Sequence, residues 1–480
     1  MKLSGKNILR MISVSLAAML FLTSCGSTTD NGNEDTTAEN GTAPDTTTEE
    51  VQPELPERNF EGYNFNILNG NVYSWFTVSN VTSEEENGDT MNDAIYRRNR
   101  KVEERYNITI TETPSSNAQN DYLKSIQAGD NSFDIALLRM EWALPVVLQS
   151  AAVNWADIPH LELDREWWVQ GSLTSMSLLN NIYYGVSLFD TTHFDSVRVF
   201  YFNKQMIDDF NLESPYELVG SGKWTLDKFH TMGLAVTSDL NGDGKWDEND
   251  RYGYGGTPNV TGNTLMCGVG AILSIGKDKD DAPYFDLDKE SSIARLTKVA
   301  EIVGSDDGFV CRENYEEVFN SGNLLFSNSL IYGAVSMRDS ETDFGIIPSP
   351  KWNEEQKEYI NLGGSPFFMT VPITAENLDR TGAIMEALAY DSMGLIDKAM
   401  YDIVLKGKSS RDNESSDMLD LIFSTLQYYH PLANSYLNAP LADDYIWNGK
   451  TDFASYFASV KDKINNDIDT AMETYRENVG

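Results

Sequence analysis

Apolar and polar residues alternate in Tyr63-Asn-Phe-Asn-Ile-Leu68, the period of two that a strand with one buried face requires. From Met91 to Tyr106 the period lengthens: Ile95, Val102 and Tyr106 share one helical face, and Arg, Lys and Glu occupy the others. The β-branched run Ile108-Thr-Ile-Thr111 predicts a second strand. A helix over 122–128 is predicted to stop at Gly129, a residue suited to the left-handed cap. Phe133-Asp-Ile-Ala-Leu-Leu138 predicts the third strand. Strand, helix, strand, helix, strand implies a βαβ unit and a largely parallel sheet.

An aromatic-rich stretch around Trp155, Trp167 and Trp168 separates this unit from strand-like runs at 182–188 and 197–202. Shorter strands are predicted at 324–326, 344–347 and 367–371. The C-terminal pattern is helical, with Phe453, Tyr456, Phe457, Val460, Ile464, Ile468, Met472 and Tyr475 at three- and four-residue spacing.

The N-terminus has a different grammar. Lys2, Lys6 and Arg10 precede an apolar run from Met11 to Leu22. Those residues rise about 18 Å as a helix, short of a ~30 Å hydrocarbon core, so residues 1–24 are predicted to be a signal peptide. Leu22-Thr-Ser-Cys25-Gly26 resembles the lipobox of bacterial lipoproteins. That resemblance implies cleavage before Cys25, lipid on its sulfur, and attachment at the outer face of the cell membrane. Residues 25–56 are rich in Thr, Asp, Glu and Gly and cannot bury a core, so a disordered tether is expected.

About 424 residues follow the tether, more than one core usually organises, and two lobes are expected. The chain carries 36 Lys and Arg against 74 Asp and Glu, a net charge of −38. No basic surplus exists to neutralise phosphates, which excludes nucleic acid as a partner and argues against anionic lipid surfaces beyond the anchor. Beyond Cys25, Cys267 and Cys311 can form one disulfide or sit as two small buried thiols; a core of this size needs no staple.

The order of segments resembles the extracellular solute-binding proteins of ABC importers, in particular the carbohydrate-type class related to maltose-binding protein. The resemblance is carried by Arg105-Tyr-Asn-Ile108, Ile182-Tyr-Tyr-Gly-Val186, Tyr201-Phe-Asn-Lys204 and Trp224-Thr-Leu-Asp227. It continues through Phe319-Asn-Ser-Gly322, Phe344-Gly-Ile-Ile-Pro348 and Gly363-Gly364. It implies an α/β, two-lobed, periplasmic-binding-protein-like fold of type II. Each lobe would be a mixed, mostly parallel sheet with flanking helices, and hinge strands would join the two. The N-terminal lobe would comprise 57–190 plus about 364–405, and the C-terminal lobe 191–363 plus about 406–480. Crossings are expected near Phe189–Ser196 and Gly363–Phe367. The implied function is capture of an oligosaccharide or monosaccharide between the lobes by a monomer, followed by delivery to an ABC permease. A surface-anchored glycoside hydrolase or lyase, and a receptor for a peptide or other solute, are the alternatives. Ser187 stands where that family usually has proline, which leaves the ligand class open.

Sugar recognition needs ring faces together with amides and carboxylates for hydroxyls. Loops at the carboxyl ends of strands offer Asn69, Asn71, Trp75, Arg139, Glu141 and Trp142, the first crossing Asp190, His193 and Asp195, and the return Ser365 and Phe367. A second motif runs from Asp239 to Asp250. Asp239, Asn241, Asp243, Asp247 and Asp250 fall at loop positions 1, 3, 5, 9 and 12, Lys245 offers its carbonyl at 7, and Gly244 makes the turn at 6. This EF-hand spacing predicts a structural Ca²⁺. Signals of catalysis are thin: the sequence has neither H-E-x-x-H nor a G-x-S-x-G elbow. Gly407-Lys408-Ser409 lacks the earlier glycine of a phosphate-binding loop, since position 402 is Asp. No enzyme activity is expected, and ATP hydrolysis is assigned to another subunit.

Overall fold

The computed structural model describes residues 52–72, 81–271, 276–337, 342–405, 413–432 and 439–478. The expected signal peptide and nearly all of the tether therefore lie outside the described residues. Along the chain, β1 (Tyr63–Asn69), β2 (Ile108–Pro114), β3 (Ile135–Arg139) and β4 (Tyr184–Gly185) come first. β5 (Arg198–Asn203), β6 (Tyr252–Gly255) and a small hairpin of β7 (Gly276–Lys277) and β8 (Pro283–Tyr284) follow. Then come β9 (Val310–Cys311), β10 (Leu324–Leu330), β11 (Phe344–Ile347), β12 (Asn361–Leu362), β13 (Phe367–Thr370) and β14 (Leu426–Gln427).

Two five-stranded mixed sheets result, ordered β2-β1-β3-β13-β4 and β11-β5-β10-β6-β9. β1 is parallel to β2 and β3, as the βαβ pattern predicts, whereas β13 returns antiparallel to β3 and β4. In the second sheet β5 is antiparallel to both neighbours, β10 and β11, while β10, β6 and β9 run parallel.

β3 is buried on both faces, which explains its unbroken apolar run. Ile135 and Leu137 join a core with Phe65, Ile67, Met369 and the helix Leu378–Ser392. Ala136 and Leu138 point to the opposite core, with Leu68, Phe368 and residues of helices Ala118–Ala128 and Met140–Leu148. The second sheet is filled by rings: Phe229 lies 5.5 Å from Phe200, 5.2 Å from Tyr254 and 5.4 Å from Phe309. Cys267 and Cys311 are free, buried thiols.

Local chemistry sets most element ends. The Asp89 carboxylate accepts the Met91 and Asn92 amides and starts the helix Thr90–Tyr106, and Asn107 closes it in the left-handed region. Gly129 caps its helix at φ 66°, as expected, but that helix begins at Ala118 rather than 122. β3 starts at Ile135 rather than at Phe133, because the Asp134 side chain turns to the Asn66 amide and Tyr63 hydroxyl. The strand expected over 182–188 contracts to Tyr184–Gly185. Its far half bonds the segment around Trp168 instead, through Val169 N to Val186 O and Leu188 N to Trp167 O.

The helix Phe453–Asn478, expected in the C-terminal lobe, has contacts beside both sheets. Near its start Phe457 meets Phe285 edge-on, beside the second sheet's helices. At its end the Tyr475 hydroxyl is 2.7 Å from that of Tyr183, and Asn478 donates to Leu148 O. About 26 residues of helix reach some 39 Å, long enough to run across two sheets.

Candidate functional site

The parallel register of β1 and β3 sets Asn69 beside Leu137, near Arg139, on one edge of the first sheet. Antiparallel β13 brings Phe367 opposite Arg139, so the return linker meets that same edge. The forward linker leaves β4 at this edge and enters β5 at Arg198. The return linker leaves β11 after Ile347, which pairs close to Arg198 through Phe200. Connectivity therefore turns the two sheets' edges toward each other, with the linkers between them.

On the first edge, Asn69 donates to Glu112 Oε2 at 3.1 Å and accepts the Asn71 amide at 2.9 Å. Asn71 Oδ1 is buried and has no hydrogen-bond partner among the described residues. Arg139 Nε lies 2.6 Å from Glu141 Oε1, and its guanidinium is 5.5 Å from the Trp142 ring. Glu141 thus neutralises Arg139, and the trio presents a ring face beside paired charges. Ser365 is exposed next to Pro366, and Trp75 lies outside the described residues. On the facing edge Arg198, 8% exposed, donates to Asn259 O and Oδ1 at 3.3 and 3.2 Å, while its Nε has no partner. Arg198 was not anticipated. Its signal was a lone cation opening an otherwise apolar strand directly after a linker.

Four expected ligand residues belong to the hinge instead. Asp190 is 3% exposed; its Oδ2 accepts the Thr192 hydroxyl at 2.5 Å and the Phe367 amide at 3.1 Å, and its Oδ1 accepts the Thr192 amide. One carboxylate therefore joins the forward linker to the return linker. Burial pushes Asp190 up to about 7. Phe367 places its ring in the first sheet's core, not in the cleft. His193 is buried, its Nδ1 lies 3.1 Å from the Tyr428 hydroxyl, and burial drives its imidazole down to about 3, so it is neutral. Asp195 is buried on the same short helical turn.

Further ties reinforce the crossing. Ser196 Oγ donates to Gly363 O at 2.9 Å. Gly364 holds φ 65°, and a Cβ there would stand 2.0 Å from Ser196 O, so only glycine lets the linkers touch. A third strand pair, β12 with β14, fastens the later chain to the return linker. Arg98 lies fully buried 4.5 Å from the Phe189 ring and donates to Phe189 O, although its helical pattern read as solvated.

At the loop where Ca²⁺ is predicted, the side chains close the backbone turn. Asp239 accepts the Gly242 and Gly244 amides, Asn241 that of Asp243, and Asp243 that of Lys245. Asp247 accepts the Asn249 amide, and buried Asp250 accepts those of Leu240 and Asp247. These oxygens close the turn on its own amides. Among the described residues no three His, Cys, Asp or Glu side chains are grouped to hold a metal.

No protein-family model matches this sequence, and no curated protein matches it. Solved structures do. The GacH receptor of Streptomyces glaucescens superposes with a TM-score of 0.51 at 12% identity, over 85% of this chain and 99% of that one. UgpB of Mycobacterium tuberculosis gives 0.53 at 13%, over 86% and 99%. An ABC transporter solute-binding protein of Thermotoga lettingae gives 0.50 at 12%, over 85% and 100%. This is the type II solute-binding-protein fold. In it, the linkers tied by Asp190 occupy the place of the hinge. Among the described residues, no helix is long and apolar enough to cross a membrane.

Asp190 has a raised pKa in the folded chain, so it favours folding most at low pH and loses that contribution as pH rises from about 4 through about 7. Glu386, also held near 7 by burial, acts in the same direction. Asp190→Asn leaves one oxygen where two now accept the Thr192 amide, the Thr192 hydroxyl and the Phe367 amide, and is expected to cost about 1–3 kcal/mol at pH 5. It should also flatten the decline in melting temperature between pH 5 and 7.5. Calorimetric melts across that range check both; a wild-type slope in the variant excludes the assignment.

Proposed function

We propose that this chain is an extracytoplasmic solute-binding protein that captures a carbohydrate between the facing sheet edges and delivers it to an ABC permease. The observation that carries this reading is the pair of facing edges joined by linkers in a single buried knot. Such an arrangement hinges about a few residues while each sheet stays rigid. The edge chemistry suits a hydroxyl-rich ligand. Trp142 offers a ring, and Arg139 and Glu141 offer paired charges beside it. The superposable structures agree with it: the GacH receptor is described in complex with acarbose, and the Thermotoga protein bound with α-D-tagatose. UgpB is described with glycerophosphocholine, so the fold also accommodates ligands of other chemistry.

The lipobox-like segment supports lipid attachment at Cys25, with the tether holding a monomeric receptor near its permease and raising its local concentration there.

Titration calorimetry with a panel of mono- and oligosaccharides tests the central reading. One-site binding at about micromolar Kd or tighter is expected, with the sugar recovered intact. Cleavage of the bound glycan would establish the hydrolase or lyase alternative, and binding confined to peptides would replace the sugar. For the anchor, Cys25→Ser should move the protein from the membrane to the soluble extracytoplasmic fraction; unchanged membrane retention overturns it.

A further inference from the structure

A cavity of about 420 Å³ opens beside the linkers, away from the strand-edge residues described above. The forward linker contributes Leu188 and His193 to its wall, the helix Ile396–Leu405 contributes Asp397 and Tyr401, and the segment through β14 contributes Phe423 and Leu426. Tyr401 and Phe423 stack with centroids 5.9 Å apart at 27°, and both are only half-buried. Phe423 also meets the rings of His193 and Phe194 at 5.7 and 5.3 Å.

The charge on this wall is one-sided. Glu166, Asp397 and Asp420 line it, and among the described residues no Lys or Arg does. His193, its only other titratable nitrogen base, is held neutral by burial. None of the three carboxylates makes an ion pair among the described residues. The Asp420 carboxylate accepts the Tyr401 hydroxyl at 2.9 Å, and that of Asp397 accepts the Lys398 amide at 2.6 Å. Burial raises the Asp397 pKa, the mark of a carboxylate lacking a counter-charge. Aromatic faces and uncompensated carboxylates around one space both attract a cation, and each gains as water is excluded. A neutral sugar uses the rings but gives the carboxylates no charge to meet.

We propose that this hinge-side cavity binds a small organic cation, an amine or quaternary ammonium ion, between the Tyr401 and Phe423 rings and the carboxylates of Asp420, Asp397 and Glu166. The site is separate from the sugar cleft and stands whatever that cleft carries. Because the wall draws on the forward linker and on the segment through β14, an occupant would brace the one against the other.

The test is calorimetry on the whole folded chain with choline, putrescine and spermidine. The uncharged choline isostere 3,3-dimethylbutan-1-ol serves as control. At least one cation is expected to bind one-to-one with a Kd below about 1 mM, at least tenfold tighter than the isostere. Tyr401→Ala and Asp420→Asn should each weaken it about tenfold. Asp420 is exposed, so its variant keeps the fold. Failure of all three cations, isostere binding of equal strength, or unchanged affinity in the Asp420 variant overturns the proposal.

Discussion

The two linkers between the sheets meet on a carboxylate that water does not reach. Asp190 holds Thr192 of its own segment and the amide of Phe367 on the other, so neither linker can move alone without stranding a buried polar group. Leaving such a group unpaired costs about 1–3 kcal/mol, comparable to a large share of a domain's net stability. The close approach at Gly364 and the Ser196 bond follow from the same demand that the linkers touch. The sheets on either side are the bodies that the linkers join.

Those bodies are stiff for ordinary reasons of packing. β3 is apolar on both faces, and the second sheet is filled by edge-on rings that leave little room for rotamer change. Glu386 braces the first half: its carboxylate accepts the indole N–H of both Trp167 and Trp168, which explains an aromatic stretch that periodicity alone could not place. The C-terminal helix adds a brace that crosses between halves, from Phe457 to Tyr475.

Much of the fold was legible in the sequence because hydrophobic period reports burial directly. Tyr63–Leu68, Met91–Tyr106 and the C-terminal helix were found on that basis, and Gly129 marked its cap by conformation alone. The strand at 182–188 was overread, since its apolar residues pair with the Trp168 segment rather than with a sheet neighbour. The site was less legible. Polar residues at a crossing look the same whether they face a ligand or each other, and Asp190, His193 and Phe367 turned inward. Arg198 and Arg98 were missed because a cation in a sequence reads as solvated until its neighbours are known. Spacing in Asp239–Asp250 gave the turn, whose carboxylate oxygens accept loop amides and keep further lone pairs.

The account stands on the bond between Asp190 and the Phe367 amide, and native-state hydrogen exchange reads that amide directly. Exchange of the Phe367 N–H should require an opening nearly as costly as unfolding the first sheet, matching the amides of β3. Exchange at the rate of an exposed loop amide, with β3 still protected, would show that the linkers are not held by this carboxylate and would contradict the hinge described here.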